Sequence, residues 1–243
     1  MIKTAMIMAA GYGTRMQPLT NNISKAMVKL DGKPLIDHML QRLVNVGIKK
    51  VVVNVHAFSS HLISHLKSLN LDLKIAISDE TDLLLETGGG VVKALPMLGK
   101  KPILICNIDS IWIEFEPVLE KLINAWKPDH MDELLLCAKA EWSLGYSGKG
   151  DFDFGKNNSL IRRSNQKSDY IYAGVQIFKP DLAKSYKVEK FSRNKIWNES
   201  LKRNTIYGIQ LPGYWMHVGD PKSLIAAKAV INQVKLKGYN EKS

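Results

Sequence analysis

Residues 8–20 read MAAGYGTRMQPLT and follow directly on the apolar run Ala5, Met6, Ile7. A chain that leaves a buried strand and at once places Gly11 and Gly13 in a turn needs a special backbone there. Either a positive φ or close approach of backbone to a ligand would account for it, since glycine otherwise loses more conformational entropy than any other residue. Arg15 just beyond the glycines points to an anionic ligand, and Lys25 adds a second cation ten residues later. Two well-known glycine loops do not fit. The dinucleotide fingerprint G-x-G-x-x-G needs glycine where Met16 stands, and the phosphate loop G-x-x-x-x-G-K-[ST] needs lysine where Thr14 and Arg15 follow Gly13. Hydride transfer and P-loop hydrolysis therefore lose their motif support.

The elements that must hold these residues follow from the hydropathy pattern. KTAMIMAA, KKVVVNVHA, LKIAIS, KPILICNI and ELLLCAKA read as strands. PLIDHMLQRLVNVG, SSHLISHLKSL, GGVVKALPML and EPVLEKLINAW read as the helices between them. Strands alternating with helices of this length build βαβ units and a mainly parallel sheet, whose strand-end loops lie along one ligand-binding edge. After residue 140 the texture changes to glycine-rich turns and short strands. The strand DYIYAGVQIFK, the helix KIWNESLKRN, the strands TIYGIQL and YWMHVG, and a closing helix PKSLIAAKAVINQVK come next. The expected organisation is one compact domain over 1–243, with residues 1–140 as a nucleotide-type half and 141–243 as a smaller second half that closes over it.

Bulk properties narrow the function. With 243 residues, 45% hydrophobic and 23% charged, the chain is long enough for a sizeable core. The net charge of +11 is spread out rather than interleaved with aromatics, so nucleic acid is not the expected partner and phosphorylated small molecules are. No apolar run approaches a membrane span and no secretory leader precedes the first strand, which implies no membrane partner and a cytoplasmic site. Cys106 and Cys137 sit inside apolar strands and read as reduced core thiols. His56, His61 and His65 flank an amphipathic helix with no carboxylate nearby in sequence, and are expected to be solvated. Nothing in the sequence distinguishes a monomer from a homo-oligomer.

The stretch A-A-G-Y-G-T-R-M-Q-P-L-T, with Lys25 after it, resembles the signature of the sugar-1-phosphate nucleotidylyltransferases, and nearly every position matches. The resemblance implies a Rossmann-like mixed, mainly parallel α/β sheet flanked by helices, of the nucleotide-diphospho-sugar transferase type. It also implies a reaction in which an NTP and a sugar 1-phosphate give an NDP-sugar and pyrophosphate. Ala10 and the backbone N–H groups of Gly11, Tyr12, Gly13 and Thr14 would wrap the triphosphate. Arg15 would meet the β- and γ-phosphates, and Lys25 the α-phosphate or the sugar phosphate. The family usually has proline on both sides of that lysine. Ser24 and Ala26 stand here instead, and a less rigid loop is expected.

Three further stretches match. In LLETGGGVVKAL, Glu86, Thr87, Gly88 and Gly89 would read the nucleobase, the glycines letting backbone approach a flat base edge. In CNIDSIW, Asp109 would bind magnesium, which in-line attack on a phosphate requires. YWMHVGDP departs from the family's W-x-D-V-G-T-P, placing His217 at the second metal ligand and Asp220 where threonine is usual. Three arrangements stay open here: His217 binds the ion or a bridging water, Asp220 takes over, or the ion relies on Asp109 and phosphates. GKGDF and YAGVQIF resemble sugar-contacting segments, with Asn107 and Asp151 on hydroxyls and Gly174 letting backbone lie against the ring. Glu189 or Lys190 would lie near the sugar phosphate, while Tyr146, Tyr172 and Trp197 are read as core or rim.

The short length and the combination of LETGGG, GKGDF and YAGVQIF are most similar to N-acetylmuramate 1-phosphate uridylyltransferases of cell-wall recycling. Mannose-1-phosphate guanylyltransferase is the alternative substrate reading, and the chain's end soon after the closing helix leads us to expect no β-helix domain. A nucleotide-sugar-binding protein without turnover is the alternative of another class, motivated by Ser24 and His217.

Overall fold

The structure is a computed structural model that describes residues 2–163 and 167–237. The chain begins with β1 (Thr4–Met8), followed by the small hairpin β2 (Lys29–Leu30) and β3 (Lys33–Pro34). Then come α1 (Leu35–Asn45), β4 (Lys50–Val55), α2 (Ser59–Ser68), β5 (Lys74–Asp79), α3 (Glu86–Leu98), β6 (Ile103–Asn107) and β7 (Ser110–Glu114). The order continues with α4 (Val118–Ala125), β8 (Glu133–Lys139), β9 (Ser143–Leu144), β10 (Phe152–Phe154), β11 (Leu160–Arg162) and β12 (Tyr170–Phe178). It closes with α5 (Asn194–Lys202), β13 (Ile206–Gln210), β14 (Gly213–His217) and α6 (Pro221–Leu236).

Strands β5, β4, β1 and β6 lie side by side and parallel, with Ala5 paired to both Val51 and Leu104. Their continuous apolar runs suit burial on both faces. Ala5 and Ile7 enter the core with α1 and α2, while Met6 enters the one under α3 and α5. Beyond β6 the sheet turns antiparallel: β12 pairs with β6 on one edge and β8 on the other, and β13 then runs parallel to β8. One sheet therefore spans both halves of the sequence.

A second, three-stranded sheet runs β7–β14–β9. The sequence pattern does not announce β7, which starts immediately after Asp109. Its antiparallel register pairs Ser110 with His217, and the Val218 N–H donates to the Asp109 carbonyl at 2.9 Å. This pairing brings two stretches more than a hundred residues apart into one site.

Cys106 and Cys137 are fully buried and unpaired, and burial pushes the Cys106 thiol up to about 12. The histidine expectation needs one correction. His65 Nε2 lies 2.7 Å from Asp37 Oδ1, a hydrogen-bonding contact between α2 and α1 that only helix packing creates. Among the described residues no helix is long and apolar enough to cross a membrane.

Candidate active site

The C-terminal ends of β1, β4 and β6 open on a cavity of about 520 Å³, within the range of small-molecule sites. The turn after β1 contributes Ala10, Gly11, Tyr12, Gly13, Thr14 and Arg15 to its wall, and Lys25 follows. Gly13 has φ +65°, and a side chain there would also press against Lys25 and Thr20 at 3.2 Å. The Thr20 hydroxyl donates to the Gly13 carbonyl at 2.7 Å, locking the turn from inside. Nothing lies within 4 Å of a Cβ built on Gly11, so that glycine leaves space on the open side.

Lys25 stands on a short 3-10 turn, Lys25–Met27. Ser24 adopts φ −59° and ψ 143°, the backbone that proline would impose, and its hydroxyl accepts the Ala26 N–H at 3.3 Å. Ser24 and Ala26 are buried, and a hydrogen bond does locally what a ring would do.

Lys25 Nζ donates to Asp109 Oδ2 at 2.9 Å, and His217 Nε2 lies 3.1 Å from the same oxygen. Burial would by itself raise the Asp109 carboxyl. The hydrogen bonds and charges of His217 and Lys25 outweigh it and hold the group well below the usual carboxylate range. The other ring nitrogen of His217 lies 3.3 Å from the Gly145 carbonyl. Both nitrogens thus face acceptor oxygens, and a cation at Asp109 would displace the Nε2 contact. Asp220 is committed elsewhere: it caps α6, accepting the Ser223 N–H at 2.7 Å in a capping box.

Among the described residues no cluster of three or more histidine, cysteine or carboxylate groups could cage a metal. One carboxylate beside an imidazole still fits magnesium, which is commonly carried on substrate phosphates with one or two carboxylates.

Glu86, Thr87 and Asn107 line the cavity as the sequence reading places them. Gly88 and Gly89 do not, and their expected contact with a base edge is corrected. Both donate their N–H groups to the Phe191 carbonyl, at 2.9 and 3.3 Å. A Cβ on Gly89 would sit 1.9 Å from the Glu189 carbonyl oxygen, and one on Gly88 2.3 Å from the Phe191 ring. These glycines make room for the protein's own chain. Gly174 sits at a bulge in β12 with φ +80°, and a Cβ there would meet Ser110 at 2.7 Å. Asp151 lies outside the cavity wall, with Oδ2 accepting the Tyr172 N–H at 2.9 Å. Lys190 reaches Glu86 at 3.8 Å.

Sequence reasoning missed Asn54, Ser192 and Gly219 in the wall. Asn54 carried a signal, a polar residue within the apolar strand KVVVNV. Its Oδ1 accepts the Ala9 N–H at 2.7 Å, and its amide donates to the buried Glu80 at 2.8 Å. Asn54 thereby fixes the start of the glycine turn. Asn107 lines the cavity, and its Oδ1 is buried with no hydrogen-bond partner among the described residues.

A cationic glycine turn over a paired lysine and aspartate at the strand ends is the architecture of a phosphate-handling transferase. The family model described as nucleotidyl transferase matches residues 4–234, and the chain belongs to that family. It is 42% identical to the N-acetylmuramate alpha-1-phosphate uridylyltransferase of Caulobacter vibrioides, over 93% of this chain and 96% of that protein. It is 27% identical to the mannose-1-phosphate guanylyltransferase catalytic subunit beta of Drosophila melanogaster, over 91% of this chain but 60% of that protein. The crystal structure of HddC from Yersinia pseudotuberculosis shares the fold, with a TM-score of 0.74 at 20% identity over 95% of this chain and 100% of that one.

Proposed function

We propose that this nucleotidyltransferase makes UDP-N-acetylmuramate and pyrophosphate from UTP and N-acetylmuramate 1-phosphate. The observation that carries the reaction class is the convergence of Arg15, Lys25 and Asp109 on one cavity beneath the glycine turn. The choice of substrates rests on the 42% identity to the uridylyltransferase, which holds along the whole length of both proteins. The mannose reading has lower identity and an incomplete match behind it.

In this reading a phosphate oxygen of the sugar 1-phosphate attacks the α-phosphorus of UTP. The bond from the α-phosphorus to the bridging oxygen breaks, and the electron pair leaves with pyrophosphate. No protein nucleophile is needed, so the residues act by positioning and by charge. N–H groups of the turn 11–14 hold the triphosphate, Arg15 meets the departing pyrophosphate, and Lys25 turns from Asp109 toward the reacting phosphates. Glu86 and Thr87 face the base, and Asn107 on the cavity wall faces a sugar hydroxyl. Asp109, flanked by His217, would hold magnesium, which when bound neutralises phosphate charge. We further propose that residues 1–140 carry the nucleotide and 141–243 the sugar phosphate. The enzyme would work in the cytoplasm, returning recovered cell-wall sugar to precursor synthesis.

The test is pyrophosphate release with magnesium, pairing UTP or GTP with N-acetylmuramate 1-phosphate or mannose 1-phosphate. Turnover is expected with UTP and N-acetylmuramate 1-phosphate. Turnover confined to GTP with mannose 1-phosphate would overturn the substrate assignment. Silence in all four pairs with UTP binding intact would favour a binding protein.

A further inference from the structure

The connection from β12 to α5 crosses the first turn of α3. Phe191 donates its N–H to the Leu85 carbonyl at 3.2 Å, and its carbonyl accepts from Gly88 and Gly89. A helix start leaves N–H groups unsatisfied, and here the chain itself takes two of them. The turn closed in this way holds Glu86 at φ +60°. A residue with a Cβ rarely adopts that backbone, and it persists where the surroundings over-determine it. The strap 189–193 is that surrounding.

Arg193 ends the strap. Its N–H donates to Thr87 Oγ1 at 2.9 Å, and Thr87 lines the cavity. Its side chain runs inward, 3% exposed as a residue, and Nη2 donates to the Tyr172 hydroxyl at 2.9 Å. The guanidinium carbon lies 5.4 Å from the Tyr172 ring centre and 5.2 Å from that of Trp197. Nε and Nη1 have no hydrogen-bond partner among the described residues. An apolar side chain would fill this space without the desolvation penalty of a buried cation, so packing alone does not account for an arginine.

We propose that Arg193 is a positioning residue for the nucleotide end of the cavity. Anchored on Tyr172 in the sugar-side strand β12, it pins the strap against Thr87 and so holds the Glu86–Thr87 turn in its nucleotide-facing form. The inference rests on the nucleotidyl-transfer reading and adds a residue that touches neither substrate.

The test measures UTP affinity by calorimetry with magnesium and without sugar phosphate, together with the KM of each substrate and the melting temperature. Arg193→Met is expected to raise both the Kd and the KM for UTP about tenfold, as a displaced positioning group does. The KM for the sugar phosphate should stay within about twofold. Arg193→Lys should recover part of the loss, and Tyr172→Phe should weaken UTP binding about threefold by removing one hydrogen bond. A lower melting temperature in Arg193→Met with unchanged UTP Kd and KM would overturn the proposal. If that variant does not fold, Tyr172→Phe decides, and an unchanged UTP Kd there would also overturn it. Failure of the wild type to bind UTP or GTP would instead sink the nucleotidyl-transfer reading, and this inference with it. Wild-type turnover with variants that match it would sink this inference alone.

Discussion

Two glycine-bearing turns meet the same cavity, and their glycines exist for different reasons. In the turn 11–13, Gly11 faces empty space and Gly13 takes a left-handed backbone, and both line the cavity. In the run 88–90 every glycine faces the protein: the strap at Gly88 and Gly89, and Glu80 with Asn54 at Gly90. The first turn is built around what enters the cavity. The second is built around the chain that supports it. A glycine cluster at a strand edge therefore marks close approach without saying whether a ligand or the chain itself approaches.

The contrast can be tested by substitution. Lys25→Ala should have the largest effect, a fall in kcat of about 10²–10³-fold, the scale of losing one preorganised charge on a transition state. Steady-state pyrophosphate release measures it, and a fall below about tenfold would remove Lys25 from the reacting centre. Gly89→Ala comes next. Its Cβ would strike a backbone carbonyl, and a destabilisation of about 2–3 kcal/mol or more is expected in urea titration, at the upper end of overpacking. A neutral result would mean that the strap does not lie on α3.

Gly13→Ala should destabilise by about 1–2 kcal/mol, because alanine is strained at positive φ. Gly11→Ala should leave stability within about 0.5 kcal/mol, as at an open surface position, while raising the KM for the nucleotide. Equal destabilisation by these two would erase the distinction drawn between facing a ligand and holding a backbone.

The smallest effect concerns the buried seam under α5. Burial pushes Glu133 up to about 7, against the hydrogen bond of Ser200, the charge of Arg193 and the hydrogen bond of Gln176. The native state therefore keeps a proton that the unfolded chain releases near pH 4.5. Its contribution to stability is present below that pH and is lost as pH rises through about 7. Comparing melting temperatures of the wild type and Glu133→Gln from pH 5 to 8 should show the variant gaining on the wild type as pH rises. A constant difference across that window would rule out titration of Glu133.

Much of the fold was legible because its signals are local. Apolar runs such as TAMIM and the helical stripe of Leu35, Ile36, Met39, Leu40 and Leu43 carry their own periodicity. The turn at 11–15 was legible too, since Gly13 needs a backbone that few other residues tolerate. Strand β7 was not, being five residues that become a strand by pairing with β14. The reading of Gly88 and Gly89 failed for a related reason: glycine records the absence of a side chain, and which neighbour uses the space is a long-range fact. Where the family has proline, Ser24 keeps a proline-like φ, and its hydroxyl accepts the Ala26 N–H.

The sequence by itself determined the alternation of strands and helices in the first half, the anionic character of the ligand and the transferase family, all carried by residue types at short spacing. Tertiary structure alone decided that Asp109, His217 and Lys25 share one oxygen, and that Arg193 lies buried beneath the nucleotide turn. Those facts depend on strand register and helix packing across up to about a hundred residues, where many chain paths are compatible with the same local pattern and the packed core selects one.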